Sequence, residues 1–149
     1  MSKEQKNLDK LVDLVRFVLR SHSKAKSLDG YGNTFYVDCE IYDQSLLEAF
    51  VHLSLSNFNQ TPYFTSWSLD DNKFVDVFTE ILVEGAVIYA LGSQALLERG
   101  REFQITDNGL NFSPPGVSEL LNTQYSILLQ HHLEKLRLIK LSIRDFGKK

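Results

Sequence analysis

Hydrophobic residues recur at intervals of three and four in four separate stretches of the chain, and each stretch predicts an amphipathic helix. The first helix is expected over about residues 4–21, and the second over about residues 45–59. The third is expected to begin at residues 68–71 and to end near Arg99. The fourth follows Pro114 and Pro115 and is expected to end near Arg144.

Between these helices, two regions lack the helical period. Residues 22–33 are rich in Ser, Lys, Asp and Gly, which predicts a flexible connection, and residues 34–42 alternate as an extended segment does. Residues 103–106 and 110–113 flank Asp107-Asn108-Gly109, and Asn-Gly supplies the positive φ angles of a tight turn. The pattern therefore predicts a mainly α fold of four helices, with an insertion over residues 22–42 and a β-hairpin between the last two helices.

The length of 149 residues predicts a single domain over residues 1–149, large enough to hold a core without metal or disulfide. No stretch reaches the ~18 uncharged apolar residues of a spanning helix, and we expect no membrane partner. Cys39 is the single cysteine, which fits a reducing compartment such as a cytoplasm, or an assembly built there and released later.

The formal charge of −3 conceals an uneven distribution along the chain. Residues 1–28 carry about +4, residues 29–119 about −11 and residues 120–149 about +4. Such a middle region disfavours duplex binding, and it leaves the basic ends, including the tail over residues 145–149, as places for an anionic partner.

The third predicted helix contains an unusual series of small residues. A glycine inside a helix costs about 1 kcal/mol against alanine, so the series predicts that a second helix backbone approaches closely. That backbone belongs either to the same subunit or to a neighbouring copy. The candidate packing residues are Gly85, Ala86, Tyr89, Gly92 and Ala95.

Catalytic and metal-binding patterns are weak, so the sequence predicts no enzyme, no metal and no cofactor. His131 and His132 are adjacent on a helix and point about 100° apart, which prevents them from chelating one ion together. Cys39 is expected to be a buried structural thiol. The order helix, hairpin, helix also fits a winged-helix DNA-binding regulator, but Lys73 is the only cation between residues 72 and 98.

Three segments carry a resemblance to a known family: residues 57–62 (NFNQTP), residues 95–109 (ALLERGREFQITDNG) and residues 112–125 (FSPPGVSELLNTQY). They resemble the head-to-tail connector proteins, also called adaptor or neck proteins, of large tailed bacteriophages. The resemblance covers about residues 40–144 and does not include the first forty.

This resemblance implies a four-helix, connector-like structural virion protein, made in the host cytoplasm and located in the neck at the head-tail junction. Its copies would form a homo-oligomeric ring, commonly of twelve, that lines the DNA exit channel. The implied partners are the portal protein and the next neck or tail protein, with DNA only as passing cargo during ejection. A head-completion or tail-terminator protein is the related alternative.

Each part of this interpretation has its candidate residues. The candidate acidic lumen comprises Asp70, Asp71, Asp76 and Glu80. The candidate hairpin contact with the next ring comprises Phe103, Ile105, Asp107, Asn108, Gly109 and Phe112. The candidate portal contact comprises Lys135, Arg137, Lys140, Arg144, Lys148 and Lys149.

Overall fold

The computed structural model describes residues 1–19, 22–40, 42–101, 105–107, 110–112 and 116–146. It is mainly helical, and the four predicted helices are confirmed: α1 Lys3–Val18, α2 Gln44–Gln60, α3 Asn72–Arg101 and α4 Val117–Phe146. Two antiparallel strand pairs accompany them, β1 His22–Leu28 with β2 Thr34–Glu40, and β3 Ile105–Asp107 with β4 Leu110–Phe112. The chain divides into two compact units, residues 1–87 and 88–149, and α3 runs through both.

Side-chain oxygens cap the first three helices by accepting hydrogen bonds from free backbone N–H groups. Ser2 Oγ accepts from Gln5 N at 3.1 Å, and Asp43 Oδ1 accepts from Leu46 N at 2.8 Å. Asp71 Oδ1 accepts from Lys73 N at 2.9 Å and from Phe74 N at 3.2 Å. The second helix therefore begins at Gln44, one residue before Ser45, because Asp43 is its cap.

The first unit packs α1, α2 and the first part of α3 around one apolar core. Three polar contacts tie these helices together. Asn7 Nδ2 on α1 donates to Leu69 O at 2.7 Å and to Asn72 Oδ1 at 2.8 Å, and Ser54 Oγ on α2 donates to Leu82 O at 2.7 Å. The core side chains of the helices in this unit are Leu8, Leu11, Val12, Val15, Leu47, Phe50, Val51, Phe58, Phe74, Val75, Ile81, Leu82, Val83 and Ala86.

The flexible connection predicted for residues 22–33 is wrong over most of its length, because residues 22–28 form β1. Its register with β2 runs from His22 opposite Glu40 to Leu28 opposite Thr34. The polar sequence of β1 carries no alternating pattern, so the strand depends on pairing with β2, whose range covers most of the segment predicted as extended.

A compact turn joins β1 to β2. The Asp29 carboxylate accepts hydrogen bonds from the backbone N–H of Asn33 at 2.8 Å and of Tyr31 at 2.9 Å, and Gly32 takes a positive φ of 83°. The hydrogen bonds from Asn33 hold the pKa of Asp29 below its ordinary value. The turn carries Tyr31 at its tip with a 94% exposed side chain.

In the second unit, the last part of α3 lies against α4 at a glycine. A Cβ atom placed on Gly92 would lie 2.8 Å from Cε2 of Tyr125, inside van der Waals contact. The short strands β3 and β4 pair with Ile105 opposite Phe112 and Asp107 opposite Leu110. The close approach at Gly92 is therefore made by an aromatic ring of the same chain.

The variant Gly92→Ala is expected to lose stability, although alanine is the better helix former. The gain in helix propensity is about 1 kcal/mol, and the clash with Tyr125 costs about 1–3 kcal/mol as overpacking does. In a Tyr125→Ala background the clash is gone, so the same substitution should stabilise by about 1 kcal/mol. Urea unfolding of the four proteins in this double-mutant cycle measures the difference.

Gly100→Ala is the matched control, because a Cβ on Gly100 meets nothing within 4 Å. That substitution is expected to be neutral or stabilising in either background. An effect of Gly92→Ala that is equal with and without Tyr125 contradicts the account of this contact.

Candidate functional site

Four aromatic rings hold the junction between α2 and α3. The ring of Phe74 lies 5.0 Å from Trp67 in a stacked pair with an interplanar angle of 4°, and 5.2 Å from Phe58 in an edge-on pair. Phe78, where α3 is kinked (φ −106°, ψ 16°), lies 5.3 Å from Phe74. These separations are those of favourable aromatic pairs, so this aromatic cluster fixes the start of α3 against the end of α2.

Asn59 organises the loop that connects the two helices. Its Nδ2 donates to Trp67 O at 2.9 Å, and its Oδ1 accepts from Trp67 N and Thr65 Oγ1, each at 3.0 Å. Its backbone O accepts from Thr65 N at 2.8 Å. One residue of the NFNQTP segment therefore sets the path of the chain through residues 61–67, where Thr61-Pro62 is a cis peptide bond.

The loop leads directly into the candidate acidic lumen residues, which lie at the start of α3 and along its exposed edge. Asp70 and Asp71 precede the helix, and Asp76 and Glu80 follow at a spacing of four, which places them on one helix face. All four are exposed. We call these four exposed residues at the start of α3 the acidic edge.

Lys10 lies against the acidic edge. Lys10 Nζ on α1 forms an ion pair with Asp76 Oδ1 at 2.7 Å, and their side chains are 48% and 65% exposed. A pair this exposed contributes little to stability, but it lowers the charge that the edge presents. No local pattern in the sequence indicates this role of Lys10, because the contact joins residues 66 positions apart.

A shallow depression adjoins the acidic edge. It is lined by Thr65, Ser66, Trp67, Ser68, Asp70 and Asp71. The carboxylate of Asp71 caps α3, and the backbone N–H of Asp70 donates to Ser68 Oγ at 3.1 Å. Within the described ranges no group of three or more His, Cys, Asp or Glu side chains is arranged to hold a metal ion.

The small residues of α3 are buried within the single chain. Gly85, Ala86 and Ala95 are buried, and Gly92 faces Tyr125. Burial, and then the neighbouring Tyr125, raise the pKa of Tyr89 above its ordinary value. The sequence left open whether the close neighbour of α3 belongs to the same subunit or to another copy. At Gly92 the neighbour belongs to the same chain, and it is the ring of Tyr125, whereas a helix backbone was predicted.

The candidate hairpin contact is described in part. Ile105 and Asp107 lie in β3 and Phe112 lies in β4, with their backbones paired. Phe103, Asn108 and Gly109 lie outside the described residues.

Among the described residues, the candidate portal contacts differ in their exposure to solvent. Arg137 is 58% exposed and lies 3.5 Å from Glu134, and Arg144 is exposed, but Lys140 is buried at 1% exposure. Burial lowers the pKa of Lys140 below its ordinary value. The prediction of a portal contact is therefore wrong for Lys140 as the chain is folded here, because its place on the inner face of α4 removes it from solvent.

The remaining basic candidates and the two histidines also differ in their exposure to solvent. Lys135 is half-buried, and Lys148 and Lys149 lie outside the described residues. His131 is exposed whereas His132 is buried at 2% exposure, in keeping with the 100° between them on the helix.

Comparisons with known proteins gave no match, whether to family models, to curated proteins or to solved structures. In the part of the chain that the structure describes, no helix combines the length and the apolar character needed to cross a bilayer. The interpretation of function therefore depends on the motifs and on the geometry of the acidic edge.

Proposed function

We propose that this chain is a structural virion protein of a tailed bacteriophage, a head-to-tail connector subunit whose copies form a ring between portal and tail. The observation that carries the proposal is the acidic edge, in which Asp70, Asp71, Asp76 and Glu80 are all exposed at the start of α3. The loop that leads into the acidic edge is organised by Asn59, which belongs to one of the segments that resemble the connector family.

The chemistry of a DNA conduit explains why acids suit such an edge. Each lysine or arginine that contacts a phosphate adds affinity through counterion release, which would hold the duplex in the channel. Carboxylates repel phosphates and leave a passing duplex mobile. In this proposal the acidic edge faces the lumen, and Lys10 is turned toward Asp76 and away from DNA.

The remaining surfaces have roles in the same proposal. The paired strands β3 and β4 lie between α3 and α4 and form a β-hairpin that contacts the next neck or tail protein. The exposed basic residues Arg137 and Arg144 near the end of α4 contact the portal protein, together with the tail over residues 145–149.

A direct test of the conduit chemistry is the affinity of the protein for duplex DNA. We expect no saturable binding below about 100 μM at 50 mM salt by fluorescence anisotropy, weaker than the usual non-specific range. Reversing the charge at Asp70 and Glu80 together to lysine is expected to create binding that weakens steeply as salt rises. The matched control reverses Glu4 and Asp13 on α1, which are also exposed, and should leave binding weak.

Tight duplex binding by the unaltered protein, with a steep salt dependence, would contradict the conduit proposal and support the winged-helix regulator. Equal gains from the two double variants would show that total charge decides, and would remove the special role of the acidic edge.

A further inference from the structure

Helix α4 has two apolar faces, and the described structure covers only one of them. Its inner face carries Leu121, Tyr125, Leu129, His132 and Leu136, which are buried or half-buried. Its outer face carries five aliphatic side chains that are 43–60% exposed: Val117, Leu120, Ile127, Leu128 and Leu138. A helix with one partner needs one apolar stripe, so a second stripe of this width indicates a second partner.

The outer face is symmetric about the point between Ile127 and Leu128. Val117 lies as far before that point as Leu138 lies after it, and Gln124 and His131 are placed in the same way. Gln124 and His131 are both exposed. An antiparallel copy of the same helix would therefore set apolar against apolar at the ends, and amide against imidazole on either side of the centre.

We propose that the outer face of α4 binds the same face of a second copy of this chain, with the two helices antiparallel. In such an isologous contact, each pairing occurs twice. Val117 packs on Leu138 of the other copy, and Gln124 hydrogen-bonds His131, whose ring nitrogens include both a donor and an acceptor. Leu120 comes opposite Lys135, whose aliphatic stem covers apolar surface.

The size and charge of the face suit this partner. A standard interface buries roughly 800 Å² on each side, a little over half of it apolar. The five aliphatic side chains supply such an apolar share. Charged residues are depleted at interface cores, and Glu119 is the only acid or cation between residues 117 and 133.

This inference does not depend on the proposed ring. A cyclic ring closes through head-to-tail contacts, whereas the contact proposed here joins two subunits about a two-fold axis. The two can fail separately, because a head-to-tail ring can form without the α4 contact, and a dimer through α4 can form without a ring.

Sedimentation equilibrium of the full chain measures the association. We expect a dimer below about 100 μM, and we expect Ile127→Lys to weaken it about tenfold or more, because a lysine replaces the central apolar contact. The matched control is Val77→Lys, which makes the same kind of change at a 71% exposed position on α3. A monomer at that concentration, or equal effects of the two variants, overturns the proposal.

Cysteine cross-linking tests the orientation and remains informative if Ile127→Lys fails to fold. In a Cys39→Ser background, Val117→Cys and Leu138→Cys are made in separate proteins and oxidised alone and mixed. Antiparallel pairing predicts efficient disulfide formation only in the mixture. Efficient cross-linking of either variant with itself indicates parallel helices and overturns the proposal, as does the absence of cross-links in the mixture.

Discussion

Replacing Phe74 by alanine is expected to lower the free energy of unfolding by about 3–5 kcal/mol, the usual cost of deleting a buried aromatic ring. Phe74 is 2% exposed, and its ring contacts Phe58, Trp67 and Phe78 at 5.0–5.3 Å. Its loss leaves a cavity at the junction of α2 and α3 and removes the ring on which Trp67 stacks. Urea unfolding followed by circular dichroism measures the stability.

Trp67 supplies a local reporter for the same variant, because it is the only tryptophan in the chain. We expect its fluorescence spectrum to change in the folded state of Phe74→Ala. The control is Phe17→Ala, the same deletion at an 81% exposed position on α1, which should alter stability by less than about 0.5 kcal/mol. Similar losses for the two variants would contradict the aromatic cluster as described.

The second large effect is expected at Asn59, where alanine should cost about 2–4 kcal/mol. The substitution removes three side-chain hydrogen bonds, and it leaves the backbone N–H and C=O of Trp67 without their partners. Because the residue lies at the end of α2 and its partners lie in the loop, the loss should loosen residues 61–67. Hydrogen exchange at the amide of Trp67 measures this loosening together with the change in stability.

Gln60→Ala is the matched control for Asn59. Gln60 is the next residue along α2, is exposed and makes a single side-chain hydrogen bond to Ser56 Oγ at 3.0 Å. We expect its removal to change stability by less than about 0.5 kcal/mol. An Asn59→Ala protein that is as stable as Gln60→Ala would remove Asn59 from its role in shaping the loop.

The sequence predicted the helices well because their signals are local. Apolar residues at intervals of three and four fix the helical face, and Asp71 marks the start of α3 within the predicted range. The strand β1 could not be predicted in this way, since its residues are polar and its partner is a separate segment. Strand formation there is decided by pairing, which leaves no pattern within β1 itself.

In the candidate site, too, local features follow from the sequence and long-range contacts do not. The shared helix face of Asp76 and Glu80 is a local property, because a spacing of four determines it. The sequence could not predict that Lys10 would reach Asp76, nor that Lys140 would be buried, because both depend on how distant helices pack. It also missed the role of Asn59, although the position of an asparagine just before Thr61-Pro62 is a signal of a structured turn.

The central claim is that this chain forms a ring around the DNA path at the head-tail junction of a phage. Cryo-electron microscopy of the virion whose genome encodes the chain tests that claim most directly. The account predicts a ring of copies between portal and tail, with Asp70, Asp71, Asp76 and Glu80 directed toward the lumen. Particles without this protein in the neck, or a ring in which all four carboxylates point away from the DNA path, would contradict it.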